Sequence, residues 1–149
     1  MRITTGSDHA GISLKKDLIA HLETLGHDVR DVGTHNNNSC DYPDFAQAVG
    51  AAVGGGDADW GLLVCGTGIG MCMAVNKMNN IRAAVVSDTF SARMTRLHND
   101  ANVLCIGERV VGGGLAIDIV NAWLEARFEG GRHQRRVDKM MALADSSQS

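Results

Sequence analysis

A chain of 149 residues has the length of one domain. At that size about 70% of the unfolded surface is buried on folding, so the core needs no disulfide or structural metal. The net charge of −3, from 14 basic and 17 acidic side chains, provides no basic surface for nucleic acid or an acidic membrane. No apolar run approaches the roughly 20 residues of a membrane span, and no signal-peptide core precedes the first strand. We therefore expect one cytoplasmic domain, 1–149, without nucleic-acid or membrane partners.

Short apolar segments alternate with longer amphipathic ones along nearly the whole chain. The apolar segments, bounded by Gly, Asp or Ser, predict strands at 2–6, 28–32, 60–65, 81–87 and 102–107. Helices are predicted at 11–25, 41–53, 68–78, 88–99 and 112–128, and a last helical stretch ends near 144, before a polar tail at 145–149. This alternation predicts an α/β fold in which a five-stranded parallel sheet lies between two layers of helices.

The loops that follow the strands are the expected position of an active site, because ligands of open parallel sheets bind beyond the carboxyl ends of the strands. The alternation brings five loops to that edge, at 7–9, 31–42, 65–70, 87–88 and 107–109. His9 lies in the first of them. His98 ends a predicted helix, which could lie on the far side of the sheet, so the pattern alone does not bring His98 to Cys65.

An apolar strand runs into a glycine-rich turn at Cys65-Gly-Thr-Gly-Ile-Gly70, and a helix follows. Glycines let several backbone N–H groups point into one small volume, and the helix N-terminus adds its positive dipole end there. The turn is therefore predicted to bind negative charge, and the same setting favours the thiolate form of Cys65. A reactive sulfur beside an anion-binding loop points to catalysis through an oxyanion.

Two other interpretations of this turn remain open at the level of local spacing. A nucleotide-binding module would also place glycines after a strand, and Asp88 lies about 20 residues further on, where a ribose-binding acid belongs. The spacing, however, is Gly-x-Gly-x-Gly, the turn follows the third predicted strand, and the Gly-Lys-Ser/Thr of a P-loop is missing. The third interpretation is a purely structural turn, since glycines after strands are common in α/β proteins.

The remaining cysteines, Cys40, Cys72 and Cys105, form no Cys-x-x-Cys pair, so no zinc framework is predicted. The pattern favours packing roles for Cys72 and Cys105 and a loop position for Cys40. No cluster of His, Asp or Glu has the sequence spacing of metal ligands. We therefore expect free thiols and no metal site.

The C-terminal segment combines a break with a basic cluster. Gly130-Gly131 interrupts the preceding helix, and Arg132 and Arg136 then share one helix face near His133. Two arginines beside a histidine suit a phosphate group. A solvated basic face is the alternative, but it does not explain the glycine hinge. We expect an arm, about 129–144, that docks on a second subunit.

A series of motifs spans nearly the whole chain in one order. The motifs are Gly6-Ser-Asp-His-Ala-Gly11, Asp41-Tyr-Pro-Asp-Phe45, Cys65-Gly-Thr-Gly-Ile-Gly70, Ala74-Val-Asn-Lys77, Ile81-Arg-Ala-Ala84, His98-Asn-Asp-Ala-Asn102, Gly107-Glu-Arg-Val-Val-Gly112 and Gly130-Gly-Arg-His-Gln-Arg-Arg-Val137. Together they resemble the type B ribose-5-phosphate isomerases of the ribose/galactose phosphate isomerase family. The resemblance implies a Rossmann-like three-layer α/β/α sandwich with a C-terminal helical arm. It also implies a homodimer, in some members a tetramer, whose active sites are shared between subunits.

The activity implied by the resemblance is aldose–ketose isomerisation of a sugar phosphate without metal or cofactor. Ribose 5-phosphate is the expected substrate, with allose 6-phosphate, galactose 6-phosphate or a tetrulose phosphate as alternatives. Cys65 is expected to move a proton between C1 and C2, Thr67 to place protons, and His98 to assist ring opening. The substrate-binding residues implied by the family are Asp8, His9, Tyr42, Gly66, Gly68, Ile69, Gly70, Asn99, Arg109, Arg132, His133 and Arg136.

The resemblance divides the expected phosphate contacts between two subunits. His9 and Arg109 would bind the phosphate from one subunit, and the basic cluster of the C-terminal arm would reach it from the other. One subgroup of the family lacks the cysteine and places a glutamate base within the start of the helix. Met71 stands at the corresponding position here, which groups this chain with the members that use the cysteine.

Overall fold

The computed structural model describes residues 1–146 of the chain. The strands are β1 (Arg2–Ser7), β2 (Asp28–Asp31), β3 (Trp60–Cys65), β4 (Ala83–Val85) and β5 (Val103–Gly107). The helices are α1 (Ile12–Thr24), α2 (Tyr42–Gly54), α3 (Ile69–Val75), α4 (Thr89–Asn99), α5 (Gly113–Glu125) and α6 (Arg132–Ser146). Each predicted strand and helix is present in this part of the chain.

The strands form one sheet in the order β2-β1-β3-β5-β4, and all neighbouring pairs are parallel. Every residue of β5 is buried, as expected for an apolar strand that is covered on both faces. Cys65 at the end of β3 is level with Gly107 at the end of β5, so the loops after these strands leave the sheet side by side. From β1 the chain continues to β2 on one side of the sheet and then to β3 on the other side. Such a change of direction between β1 and β3 opens a crevice at the carboxyl edge.

Helices cover both faces of the sheet. On one face α1, α4 and α5 bury a core built around Leu18, Ile119 and Trp123. On the other face α2 and α3 pack Val49 and Met71 against the sheet. The predicted three-layer α/β/α sandwich with a five-stranded parallel sheet is confirmed. Within residues 1–146, no helix is both long and apolar enough to cross a bilayer.

Several elements are shorter than the sequence predicted, among them α5, which ends at Glu125 instead of 128. In β4 and α3, side chains replace backbone partners at one end. The N–H of Arg82 donates to the side chain of Asn102 at 2.8 Å, and β4 begins only after it. The side chain of Asn76 bonds both the N–H and the C=O of Ala83, at 2.8 and 2.9 Å, and α3 ends before it. At the C-terminus α6 continues through 145–146, where a polar tail was predicted, and 147–149 lie outside the described residues.

The C-terminal arm lies at the opposite edge of the sheet from the loops that follow the strands. Helix α4 runs back between two parallel strands, so its C-terminus is at the amino-terminal edge, and α6 packs against α4. The N–H of Glu129 donates to the C=O of Leu97 at 3.0 Å and ties the arm to that end of α4. Gly130 and Gly131 have φ values of +66° and +55°, so the predicted break uses backbone conformations that favour glycine.

A buried cation fixes the turn after α4. The guanidinium of Arg96 lies 4.9 Å from the ring centroid of Trp60 and 5.5 Å from that of Trp123, and the two rings meet edge to face. Its Nη1 donates to the carboxylate of Asp100 at 3.0 Å and to the C=O of Ala101 at 2.6 Å. Cation–π contacts and charge-assisted hydrogen bonds therefore hold the end of α4 in place.

Candidate active site

The sulfur of Cys65 lies inside the predicted anion-binding turn. Its side chain is buried, and the N–H of Gly68 donates to Sγ at 3.1 Å. Gly68 has a φ of +78°, which turns the backbone so that α3 starts at the next residue. The N–H of Ile69 donates to Oγ1 of Thr67 at 3.2 Å, which leaves the hydroxyl proton of that side chain free to donate elsewhere. The turn thus presents a thiol, a hydroxyl and backbone N–H groups together.

Backbone packing from β5 holds this turn rigidly. A Cβ on Gly107 would lie 2.6 Å from the carbonyl carbon of Thr67, so only glycine allows the two loops to meet. The N–H of Glu108 donates to the C=O of Cys65 at 2.9 Å, and the N–H of Arg109 donates to the C=O of Gly66 at 3.0 Å. Two carbonyls of the turn are therefore engaged, which fixes the orientation of the peptide groups between them.

Glu108 is a supporting residue that sequence reasoning missed. Its carboxylate accepts the N–H of Leu14 at 3.0 Å and so joins the loop after β5 to the first turn of α1. A carboxylate near the N-terminus of a helix is favourable because of the helix dipole. The sequence signal, an acidic residue directly after a buried strand, was too common to single out.

The loop after β1 brings Asp8 and His9 to the same edge of the sheet. Asp8 is buried, its N–H donates to the C=O of Val64 at 3.3 Å, and its carboxylate accepts the N–H of Ala10 at 2.9 Å. The Nδ1 of His9 accepts the N–H of Cys40 at 3.3 Å. That bond places the proton of a neutral imidazole on Nε2, from which it can be donated to a ligand.

Two further side chains frame the opening of the turn. The ring of Tyr42 lies against Gly70, where a Cβ would be 2.9 Å from Cζ. The guanidinium of Arg109 lies over Gly66, where a Cβ would be 3.4 Å from Nη1. Both side chains thus border backbone that carries no side chain, so a ligand between them would approach the peptide groups closely. This first half-site comprises Asp8, His9, Tyr42, Cys65, Gly66, Thr67, Gly68, Ile69, Gly70 and Arg109.

A second half-site lies where α4 meets α6. His98, Asn99, His133 and Arg136 line a cavity of about 410 Å³ there. The imidazole rings of His98 and His133 are stacked, with centroids 4.2 Å apart and an interplanar angle of 8°. Arg132 is exposed in the first turn of the same helix α6. The structure therefore unites the basic arm with the histidine at the end of α4.

Glu129 completes this second half-site, and sequence reasoning did not select it. Its Oε2 lies 3.2 Å from Nε2 of His133 and 4.0 Å from Nε2 of His98. The ligand atoms of these three residues lie within 4.8 Å of one another, close enough to hold a metal ion. Sequence spacing could not reveal the cluster, because His98 comes from a different helix. The arginine that lines the same cavity opposes a cation and favours an anion.

One chain does not bring the two half-sites together. Cys65 is level with the last residue of β5, whereas His98 precedes the first residue of that strand. The five residues of β5 separate the two edges of the sheet by roughly 16 Å at about 3.3 Å per residue. Within one chain, His98 therefore lies at the opposite edge of the sheet from Cys65, which is one of the two positions that the sequence allowed.

The other cysteines are free thiols, as expected. Cys72 and Cys105 are buried with Cys65 in the core between the sheet and helices α2 and α3. Hydrogen bonding to Cys105, and more weakly to Asn76, lowers the pKa of Cys72 to about 7, although burial opposes this. Burial raises the pKa of Cys105 well above its usual value. Cys40 is half-buried in its loop beside His9.

The fold and the first half-site define an α/β protein that presents a thiol within a glycine-rich loop at the carboxyl edge of a parallel sheet. A family model described as Ribose/Galactose Isomerase matches residues 3–140. The chain belongs to this family of isomerases.

Relatives and solved structures agree with this assignment. Ribose-5-phosphate isomerase B of Escherichia coli is 50% identical over 142 residues, which are 95% of each chain. The solved structure of ribose-5-phosphate isomerase B from Clostridium thermocellum is 50% identical, has a TM-score of 0.97 and covers 100% of both chains. The Mycoplasma genitalium enzyme with bound ribulose-5-phosphate is 44% identical, with a TM-score of 0.93 over 97% of this chain and 96% of that one.

Proposed function

We propose that this protein interconverts ribose 5-phosphate and ribulose 5-phosphate by proton transfer through an enediolate. The observation that carries the proposal is the sulfur of Cys65 inside a loop of backbone N–H groups, one of which already donates to it. The similarity to ribose-5-phosphate isomerases, one of them solved with ribulose-5-phosphate, supports the choice of substrate.

In this mechanism the Cys65 thiolate removes the proton from C2 of the open-chain aldose. The electron pair moves into the C1–C2 bond, and the aldehyde oxygen becomes an oxyanion. Cys65 then returns a proton to C1, and the C2 hydroxyl loses its proton to give the ketose, with the Thr67 hydroxyl placed to carry protons between the oxygens. A positioned base contributes roughly 10²–10⁴ in rate.

The backbone N–H groups between Gly66 and Gly70 would stabilise the oxyanion. Fixed donors at a developing oxyanion contribute about 10²–10³ each, since they need no reorganisation during the reaction. The contacts from the loop after β5 support this role because they hold the peptide groups in place before substrate arrives. Asp8 and Tyr42 border the turn and would hold the sugar hydroxyls, while His9 and Arg109 would receive the phosphate.

A homodimer, in which each active site combines both half-sites, is the assembly we propose; a tetramer would contain two such pairs. The separation of the half-sites within one subunit supports it, because a second copy can supply His98, Asn99, Arg132, His133 and Arg136. Apolar side chains near the first half-site fit an interface, since Ile69, Met73 and Phe90 are each more than half exposed.

The proposal is tested by assaying ketose formation from ribose 5-phosphate, allose 6-phosphate, galactose 6-phosphate and a tetrose 4-phosphate, after EDTA treatment and in deuterated water. We expect ribose 5-phosphate to give the largest kcat/KM, activity to survive EDTA, and deuterium to appear on the substrate carbon. Preference for another sugar phosphate would change the substrate but keep the chemistry. If nucleotides raise the melting temperature in a thermal-shift assay and no sugar phosphate is turned over, the protein would instead be a nucleotide-binding module.

A further inference from the structure

The second half-site contains a carboxylate that the isomerisation step does not use. Oε2 of Glu129 lies between the Nε2 atoms of two imidazoles, 3.2 Å from His133 and 4.0 Å from His98. His133 is almost fully buried, and among the described residues its Nε2 has no aligned hydrogen-bond partner. His98 is 40% exposed and faces the cavity. One carboxylate therefore lies close to two stacked imidazole rings, of which His133 is buried and His98 is partly exposed.

The charges around the rings determine how many protons the pair can hold. Two imidazolium ions stacked 4.2 Å apart would repel each other strongly. Arg132 and Arg136 on α6 add further positive charge, and Glu129 is the negative group that faces the rings. Burial first, and then the charges of His98 and the two arginines, lower the pKa of His133, with Glu129 opposing them. Protonation of the buried ring is thus disfavoured, and the exposed ring of His98, which faces the cavity, is the one that can reach a ligand.

We propose that Glu129 is a positioning residue for ring opening, whose carboxylate orients the stacked His98–His133 pair and supplies the counter-charge when His98 carries the proton. The inference rests on the proposed function, since ring opening precedes isomerisation of a cyclic sugar phosphate. His98 donates its proton to the ring oxygen as the C1–O4 bond breaks and the electron pair moves to O4. The C1 hydroxyl becomes the aldehyde and loses its proton to water, and His98 regains a proton from solvent.

The test compares a substrate that must open with one that is already open. Ribose 5-phosphate is mainly a closed furanose, whereas ribulose 5-phosphate cannot form a furanose because its C5 oxygen carries the phosphate. In Glu129→Gln, conversion of ribose 5-phosphate should fall about fivefold near neutral pH, the effect of one charge at 4 Å in water-like surroundings. Enzyme-catalysed exchange of the C1 protons of ribulose 5-phosphate with deuterium, followed by NMR, should stay within about twofold of wild type.

The pH profile separates an electrostatic role from a merely structural one. The alkaline limb of ribose 5-phosphate turnover should move to lower pH in Glu129→Gln, because a negative charge 4.0 Å from Nε2 of His98 is removed. Glu129→Asp retains the charge and should keep the limb near its wild-type position. Glu125→Gln is the matched control, since it removes one exposed carboxylate four residues earlier at the end of α5.

Equal losses in turnover and in C1 exchange, with an unmoved pH profile, would overturn the inference and assign Glu129 to packing. An unchanged Glu129→Gln enzyme would overturn it as well. Failure of the wild-type enzyme to convert ribose 5-phosphate would remove the proposed function, and this inference with it. That result is distinguishable, because it is seen before any variant is made.

Discussion

At the scale of single residues, the loop from Cys65 to Gly70 has two tasks. It donates the N–H of Gly68 to the sulfur in the resting protein, and its glycines let the side chains of Tyr42 and Arg109 lie close to its backbone. A thiol next to backbone donors suits the proposed reaction, in which a proton leaves carbon and charge appears on oxygen.

Replacement of the proposed base gives the prediction at the residue scale. Cys65→Ala should lower kcat by at least about 10²-fold, because the proton acceptor is lost, while binding of ribose 5-phosphate measured by calorimetry changes little. Iodoacetamide should inactivate the wild-type enzyme, and bound substrate should protect it. Cys40→Ala, which removes the partly exposed thiol beside His9, should be inactivated at the same rate. Turnover close to normal in Cys65→Ala would place the base elsewhere.

The sequence predicted the strand–turn–helix geometry of this loop because all its parts are contiguous. The strand, the glycines and the following helix occur within a few residues, so their geometry follows from local rules. Glu108 and Glu129 could not be found in this way. Each acts on a group from a distant segment, the N–H of Leu14 in one case and the ring of His98 in the other.

At the scale of elements, the sequence predicted the order and type of every strand and helix but not all their ends. Periodicity predicts where an apolar stripe runs, and it is insensitive to a single side chain that takes the place of a backbone partner. Asn76 and Asn102 do this at the ends of α3 and β4, which are therefore shorter than predicted. The start of the arm was predicted correctly, because two consecutive glycines mark the break in the sequence.

The glycine break provides a prediction about the arm. Gly131 has a φ of +55° and nothing of the described chain lies within 4 Å of the position of an added Cβ, so Gly131→Ala strains only the backbone. That conformation costs roughly 1–2 kcal/mol for alanine, and we expect α6 to shift. KM for ribose 5-phosphate should rise severalfold, because the basic side chains of α6 move with the helix. Gly114→Ala, also in open space but without positive φ, should match wild type. A Gly131→Ala enzyme with unchanged KM would remove the arm from substrate binding.

At the scale of the whole molecule, the two half-sites lie at opposite edges of one sheet. No rearrangement that preserves the sheet can bring Cys65 to His98 in one chain. One chain therefore holds the predicted residues in two separate groups, and in the proposed dimer a second copy brings the two groups together. Sequence periodicity carries no information about that assembly, which is why the pattern left His98 unconnected and only the family resemblance suggested shared sites.

Mixed dimers test this arrangement. Cys65→Ala and Arg136→Ala homodimers should each be nearly inactive, because every site carries one defect. When the two variants are unfolded and refolded together, about half the dimers are mixed, and each has one site free of both defects, so about a quarter of wild-type activity should return.

The matched control pairs Cys65→Ala with Arg109→Ala, which affect the same half-site. Their mixed dimers carry a defect in both sites and should recover nothing. If the first pair also fails to recover although mass spectrometry shows subunit exchange, both residues serve one chain's site and the shared-site dimer is wrong.

The buried guanidinium of Arg96 on α4 provides the protein with an intrinsic fluorescence probe. Trp60 and Trp123 are the two tryptophans of the chain, and both rings lie within 5.5 Å of the guanidinium of Arg96. Indole emission is sensitive to a nearby charge, and this charge is tied by hydrogen bonds to the turn that follows His98. The emission of unlabelled protein should therefore report changes at the end of α4, and stopped-flow fluorescence can test without an attached dye whether the substrate reaches the second half-site.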